Sequence, residues 1–496
     1  MKLIKKIAAI MFAFMMVFSL STNAKAESGK YEDSNGKITI RKAIENQTYT
    51  IYRMLKLETF DGDHYSYTLE DGWDSFYTTG AGNDYLEKNG DGYITFKTGK
   101  DNPEDMRLFA QKALAYAKDV NNHITNSGQK SADSTKVVEF AGLKLGYYLV
   151  DSSVGALCSL TTTKPLASLE EKNGAPELTK YVYNTNHQDF FPYNDASLGT
   201  DVKFKTEIKA KPGVENYILH DKMESGLTFN NDLTVKVDGT DIPEDKRTIT
   251  YVNDNADKCA FEIQFDDNYL NSLFSDTKKE LNITVEYTAK LNKNAVSENH
   301  NKAELIYGDN NKIESETKTC TYTIPVFKYT GTNTPLKGAV FTLSKDKDGF
   351  DLYKLVFVEN KDDYAVYRLK TDEDSEASCV DNIKTGTTGK FKITGLGSGV
   401  YYLKEIEAPK GYNVLKDSKK IVISENGGIL LNANFKSGVV TGGELVTTGD
   451  IMVQNRSGSL LPSTGGMGTT MIYLIGGALV LGSGIVLANK KRAKAK

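Results

Sequence analysis

Six residues in two stretches of the chain have the types and the order to form a covalent bond. In the first stretch Lys180 lies in Leu178-Thr-Lys180-Tyr-Val182, Asp221 follows Leu219-His, and Asn301 opens Asn301-Lys-Ala303-Glu-Leu305-Ile-Tyr307. A strand repeats every two residues, so Lys180 shares a face with Leu178 and Val182, and Asn301 shares one with Ala303, Leu305 and Tyr307. The second stretch repeats the plan. Val326 and Lys328 share a face of its first strand. Tyr401, Leu403 and Glu405 share a face further on, and Ile451, Val453 and Asn455 share one on the last strand. Solvated charge on an edge strand accounts for any one of these lysines alone. It accounts poorly for the same order of Lys, acid and Asn in two places. Burial disfavours charge, lowering the pKa of a lysine and raising that of a carboxyl. A neutral amine is a nucleophile. A protonated carboxyl can hydrogen-bond the Asn carbonyl, polarise it and pass protons to departing ammonia. The product is a Lys–Asn isopeptide bond tying a first strand to a last one. It restricts the unfolded chain as a disulfide does, but cannot be reduced.

The elements that must hold these groups are strands. Short alternating runs dominate: Ile38-Thr-Ile40, Val202 to Ile208, Ile283-Thr-Val285-Glu-Tyr287, Ala339 to Leu343 and Phe391-Lys-Ile393, separated by Gly, Asn and Asp turns. This predicts an all-β chain of sandwich-type domains. One amphipathic helix is expected over Pro103–Val120, with Met106, Phe109, Ala113 and Tyr116 along one stripe. At 496 residues the chain has room for about three domains. The boundaries read 27–172, 173–323 and 324–456, with seams at Asn173-Gly174-Ala175-Pro176 and Ile324-Pro325 and a linker from residue 457.

Composition narrows the function classes. Hydrophobic residues at 39% and charged residues at 25% exclude a wholly disordered chain. The formal charge is −4. Without residues 1–26 and 465–496, which carry nine of the 61 bases and no acid, 52 bases face 65 acids, or −13. Such an acidic body argues against a nucleic-acid partner. His64, His123, His187, His220 and His300 are scattered, and with four sparse cysteines they give no metal-ligand spacing. Asp346-Lys-Asp348-Gly349-Phe-Asp351 is an incomplete calcium-loop pattern that lacks the distal bidentate Glu. No metal or cofactor is expected. Among Cys158, Cys259, Cys320 and Cys379 the one pairing worth naming is Cys320 with Cys379, and buried free thiols are the default. No nucleophile–base pair has supporting context, so an enzyme such as a wall hydrolase is disfavoured.

The two ends set the compartment. Met1-Lys2-Leu3-Ile4-Lys5-Lys6, an apolar run to Leu20 and Ala24-Lys25-Ala26 read as a secretory signal peptide over residues 1–26. At the other end Leu461-Pro462-Ser463-Thr464-Gly465 precedes an apolar segment, 471–488, and a basic tail. The apolar segment can just cross a bilayer, with the tail staying on the cytoplasmic side. The three parts in this order resemble the cell-wall sorting signal of Gram-positive surface proteins. That resemblance implies that a sortase cysteine attacks the Thr464–Gly465 bond and that an amine then takes the acyl group.

Nearly the whole chain resembles a backbone (major) pilin of sortase-assembled Gram-positive pili. Ile38 to Ala43, Gln47 to Tyr52, Gly146 to Asp151 and Gly155 to Thr161 are similar to that family's N-terminal domain. The second block resembles its middle, collagen-adhesin-like (Cna A-type) domain. The third resembles a Cna B-type domain, with Leu403-Lys-Glu405 to Tyr412 as the E-box. The resemblance implies tandem immunoglobulin-like sandwiches. It also implies two isopeptide triads: Lys180–Asn301 with Asp221, and Lys328–Asn455 with Glu405, Asn299 being the alternative to Asn301. In the first block Lys42 lacks an Asn partner, so no bond is expected there. Lys172, followed by Asn173, stands where the family's polymerisation acceptor is found, with Lys164 as the other candidate. The implied partners are identical subunits, pilin-specific and housekeeping sortases, minor tip or basal pilins, peptidoglycan and an unspecified host ligand. The rival reading is a monomeric wall-anchored adhesin or minor pilin.

Overall fold

Alternating side chains favour paired sheets, and the computed structural model forms them as its dominant element, 50% strand against 14% helix. It describes residues 36–61, 64–100, 102–152, 161–162, 166–170, 174–251, 259–274, 278, 280–458 and 468–493. The signal segment, Cys158, Lys164, Lys172 and the motif at 461–465 lie outside the described residues.

The first sandwich contains β1 (Gly36–Arg41), β2 (Thr48–Asp61), β3 (Val137–Leu143) and β4 (Gly146–Ser152). β1 pairs antiparallel with β3 and parallel with Leu166–Glu170, and β2 pairs antiparallel with β4. Ile38, Ile40, Ile51, Phe140 and Val150 fill the space between the two sheets. Helix α1 (Pro103–Lys118) starts where Asn102 accepts from the Asp105 backbone N–H at 3.0 Å, with Pro103 opening the first turn. It buries Phe109 and Ala113 against Trp73, Phe76 and Tyr85. It stops two residues short of the expected end, and Val120 is left exposed.

The second sandwich holds β5 (Glu177–Asn184), β6 (Asp201–Ala210), β7 (Ile218–Met223), β8 (Leu281–Leu291), β9 (Glu298–Tyr307) and β10 (Asn311–Cys320). β5, β6 and β8 run side by side in one sheet, and β7, β9 and β10 in the other, all antiparallel. The expectation that Asn301 sits on the last strand is corrected here. Gly308 and Asn310, both at positive φ, turn the chain into one more hairpin strand, β10. That strand is mostly polar and carries no apolar alternation by which to read it.

The third sandwich holds β11 (Tyr322–Thr330), β12 (Val340–Ser344), β13 (Lys390–Leu396), β14 (Gly399–Glu407) and β15 (Ile451–Gln454). β11 lies between β13, antiparallel, and β15, parallel. β12 pairs with β14 in the opposite sheet. One apolar core runs without a break from the second sandwich into the third, whereas the first sandwich has clusters of its own.

Cys320 and Cys379 are free and partly exposed, so the named pairing is not made, and Cys379 Sγ instead donates to the Ser375 carbonyl at 3.3 Å. Cys259 is buried, its sulfur 3.5 Å from His220 Nδ1. In the acidic loop, Asp346 accepts the backbone N–H groups of Asp348, Gly349, Phe350 and Asp351, so its carboxylate closes the turn. Helix α2 (Gly468–Ala493) is long and apolar enough over Met471–Lys491 to cross a membrane, with mean hydropathy 2.2.

Candidate functional site

In the second sandwich the two sheets each contribute half of a buried cluster. β5 brings Lys180 and β8 brings Tyr287 from one sheet, while β7 brings Asp221 and β9 brings Asn301 from the other. Opposite Lys180 on β6 stands Thr206, a small residue that leaves room for the long side chain. Asp221 pairs with Ala303, which places Asn301 one same-face step along the neighbouring strand. All four functional side chains are buried, Lys180 to 1% exposure and Asp221 and Asn301 to 0%. The Lys180 amine donates to Asp221 Oδ2 and to the Tyr287 hydroxyl, the latter at 2.5 Å. Tyr287 donates to the same Asp221 oxygen at 2.6 Å and accepts from Asn301 Nδ2 at 2.9 Å. The other oxygens of Asp221 and Asn301 have no partner among the described residues. Burial pulls the Lys180 amine below its ordinary value, outweighing the neighbouring Asp221. Burial, with the Asp221 charge added, holds the Tyr287 phenol well above its own. The structure therefore assembles an amine whose charge burial disfavours, a carboxyl group, a carboxamide and a phenol that keeps its proton.

Asn299 is also buried, but on other work. Its amide accepts from Val296 N–H and donates to the carbonyls of Val296 and Thr319, clamping the turn before β9. Of the two candidate amides, only Asn301 joins the cluster around Lys180.

The third sandwich solves the same problem differently. Lys328 on β11 pairs with Val453 of the parallel strand β15, and Asn455 lies just past the end of that strand. The Asn455 backbone N–H is held by the Tyr329 carbonyl at 3.0 Å. Glu405 reaches in from β14 of the opposite sheet. The Lys328 amine donates to Asn455 Oδ1 and lies 3.0 Å from Glu405 Oε1, which also accepts from Asn455 Nδ2 at 2.8 Å. The other Glu405 oxygen accepts from the Leu415 N–H at 2.9 Å, which fixes the carboxyl's orientation. Lys328 and Asn455 are fully buried, and burial again lowers the lysine's pKa against the pull of Glu405. Gly389, at φ 67°, lets its strand pass so close to Lys328 that a Cβ there would strike the Lys328 carbonyl.

Tyr287 is the site residue that sequence reasoning missed. Its signal was present, since Ile283, Val285 and Tyr287 share an apolar face. A tyrosine on such a face reads as core, and only the pairing of β6 with β8 sets it opposite Phe204 and beside Lys180. In the first sandwich Lys42 is exposed at φ 57°.

Comparison with known proteins places this chain on the bacterial surface. Residues 455–496 match the LPXTG cell wall anchor motif, and residues 323–436 match the SpaA prealbumin-like fold domain. The trypsin-resistant surface T6 protein of Streptococcus pyogenes serotype M6 is 25% identical over 398 residues, 65% of this chain and 70% of its own. The chain is a cell-wall-anchored surface protein related to Gram-positive backbone pilins. The solved T6 backbone pilin of serotype M6 aligns over 88% of this chain and 95% of its own, at 18% identity and a TM-score of 0.49. Full-length RrgB pilus protein from Streptococcus pneumoniae aligns over 87% and 100%, at 12% identity and 0.46. Platelet adherence protein A of Streptococcus gordonii is 24% identical over 287 residues, 55% of this chain but 7% of that much longer protein.

Proposed function

We propose that this protein is the repeating shaft subunit of a covalent surface pilus, with two autocatalytic isopeptide bonds carrying its tension. The observation that supports this is the burial of two lysines, each against an acid and an asparagine, in successive sandwiches. In each case the neutral amine attacks Asn Cγ, the Nζ–Cγ bond forms, the Cγ–Nδ2 bond breaks and ammonia leaves. Asp221 and Glu405 handle the protons and end unchanged. No external cofactor enters. Between subunits, a sortase cleaves after Thr464 within Leu461-Pro462-Ser463-Thr464-Gly465, and the resulting thioester passes its acyl group to the Lys172 amine of the next copy. The terminal acceptor is peptidoglycan or a basal subunit.

Immunoblots of wall extracts test the assembly step. A shaft subunit gives a high-mass ladder, and a monomeric adhesin gives one band. Lys172→Ala is expected to abolish the ladder. A ladder that persists moves the acceptor elsewhere, with Lys164 tested next.

A further inference from the structure

The two clusters hold the same three reacting partners, yet they are wired differently. In the third sandwich one oxygen of Glu405 touches both nitrogens of the reaction, Lys328 Nζ at 3.0 Å and Asn455 Nδ2 at 2.8 Å. A single carboxyl can therefore collect a proton from the attacking amine and deliver one to the leaving amide. In the second sandwich Asp221 is one methylene shorter. Its Oδ2 meets Lys180 and Tyr287, while the Asn301 nitrogen donates to Tyr287. The phenol oxygen is the one atom in contact with the attacking nitrogen, the leaving nitrogen and the acid together.

We propose that Tyr287 is a catalytic residue of the Lys180–Asn301 condensation, relaying the proton between Asp221 and the departing amide nitrogen. This inference rests on the isopeptide reading above. Lys180 Nζ adds to Asn301 Cγ and gives a proton to Asp221 Oδ2. The Tyr287 hydroxyl gives its own proton to Nδ2, the Cγ–Nδ2 bond breaks and ammonia leaves. Asp221 then returns the proton to the phenolate, so both groups finish as they began. Burial suits the phenol to this task, because it keeps the proton until the amide nitrogen becomes basic. Packing alone does not call for the hydroxyl. The Tyr287 ring lies among Phe204, Phe229 and Phe261, and a phenylalanine would fill the same volume.

The test compares full-length chains after digestion, following the peptide that joins residues 180 and 301 over time, with the 328–455 cross-link as an internal clock. Tyr287→Phe is expected to slow the first cross-link about a hundredfold, a general acid–base contribution of ordinary size, and to leave the second unchanged. Asn301→Ala provides the unbonded reference for folding. Tyr287→Phe, before it reacts, is expected to melt with Asn301→Ala. A second variant separates relay from packing. Adding Asp221→Glu to Tyr287→Phe supplies an acid long enough to reach Asn301 directly, and is expected to restore most of the rate. Cross-linking of Tyr287→Phe at the wild-type rate overturns the proposal. So does a slow Tyr287→Phe that the longer acid fails to rescue, or one that melts well below Asn301→Ala. A wild-type chain without the 180–301 cross-link overturns the isopeptide reading itself, which is a separate outcome.

Discussion

A lysine held without water around it is costly as a cation and useful as an amine. Lys180 and Lys328 each lie inside a sandwich beside aromatic rings, and in each case desolvation is the largest influence on the amine. Two expectations belong to these side chains. Asn301→Ala is expected to fall one ammonia short of its own sequence mass, where wild type falls two short, read by intact-mass measurement. Its second sandwich should also lose stability. Lys328 and Asn455 are 127 residues apart, and Lys180 and Asn301 enclose a similar loop. Closing loops of that length restricts the unfolded chain by about 5 kcal/mol in the chain-entropy account. Calorimetry of the second transition checks this. Glu405→Gln keeps the length of the side chain but cannot cycle a proton. It is expected to leave the 328–455 cross-link unformed, while the 180–301 cross-link appears at its usual rate.

Strand pairing decides what each bond would hold together. Lys328 and Asn455 sit on neighbouring parallel strands, so their bond would staple β11 to β15 within one sheet. Lys180 and Asn301 come from opposite sheets, so theirs would bolt the two layers of the second sandwich face to face. The first sandwich carries a buried contact between an acid and a lysine. Asp151 on β4 is buried and lies 2.8 Å from Lys118 at the end of α1, which also binds Asp309 of the second sandwich at 2.9 Å. Burial pushes the Asp151 carboxyl up to about 7, against the attraction of Lys118 and with the Asp309 and Glu215 charges adding to the rise. For Lys118, burial works against the charge, but the two carboxylates outweigh it and its pKa is raised. The folded chain thus keeps the Asp151 proton where the unfolded chain has released it. From about pH 4 to about pH 7 the folded state binds more protons, so this group's contribution to stability falls as pH rises. Asp151→Asn is expected to flatten that decline, read as a smaller difference in the first transition's midpoint between the two ends of the window. An unchanged slope would show that Asp151 does not titrate there.

The joints between sandwiches differ in kind. Leu198 is buried in the core shared by the second and third sandwiches, and its backbone N–H donates to the Gly395 carbonyl at 2.9 Å. Ser197 and Asn186 add hydrogen bonds to Gly397 and Ser398, each 2.9 Å. The described contacts between the first and second sandwiches include polar pairs, Gln111 with Glu215 at 3.0 Å and Lys118 with Asp309, beside Ile44, a partly buried side chain packed against the shared core. Part-exposed ion pairs weaken in salt, while apolar burial does not. High salt is therefore expected to loosen the first joint and spare the second. Limited proteolysis should then release residues up to the seam near 174–176 while the second and third sandwiches stay together. Equal cutting at both joints would argue against the distinction.

Local periodicity carries far in this chain. The alternation of Leu178, Lys180 and Val182, or of Ile451, Val453 and Asn455, marks polar groups on apolar faces, because a strand's side chains alternate whatever the strand pairs with. The anchor is legible for the same reason, being a contiguous run of motif, apolar segment and basic tail. Pairing is not local. β10 is mostly polar, so alternation does not reveal it, and the apolar face that begins at Asn301 reads as the closing strand. Which sheet each strand joins decides that Lys180 meets Asn301 across the layers and Lys328 meets Asn455 within one. The place of Tyr287 among three reacting groups follows from four strands far apart in the chain. Sequence alone determined which residue types are buried and how the C-terminal segment addresses the wall. The contacts that convert burial into chemistry were settled by tertiary structure, because hydrogen bonding between distant strands, not the order of residues along one strand, sets the distances between their side chains.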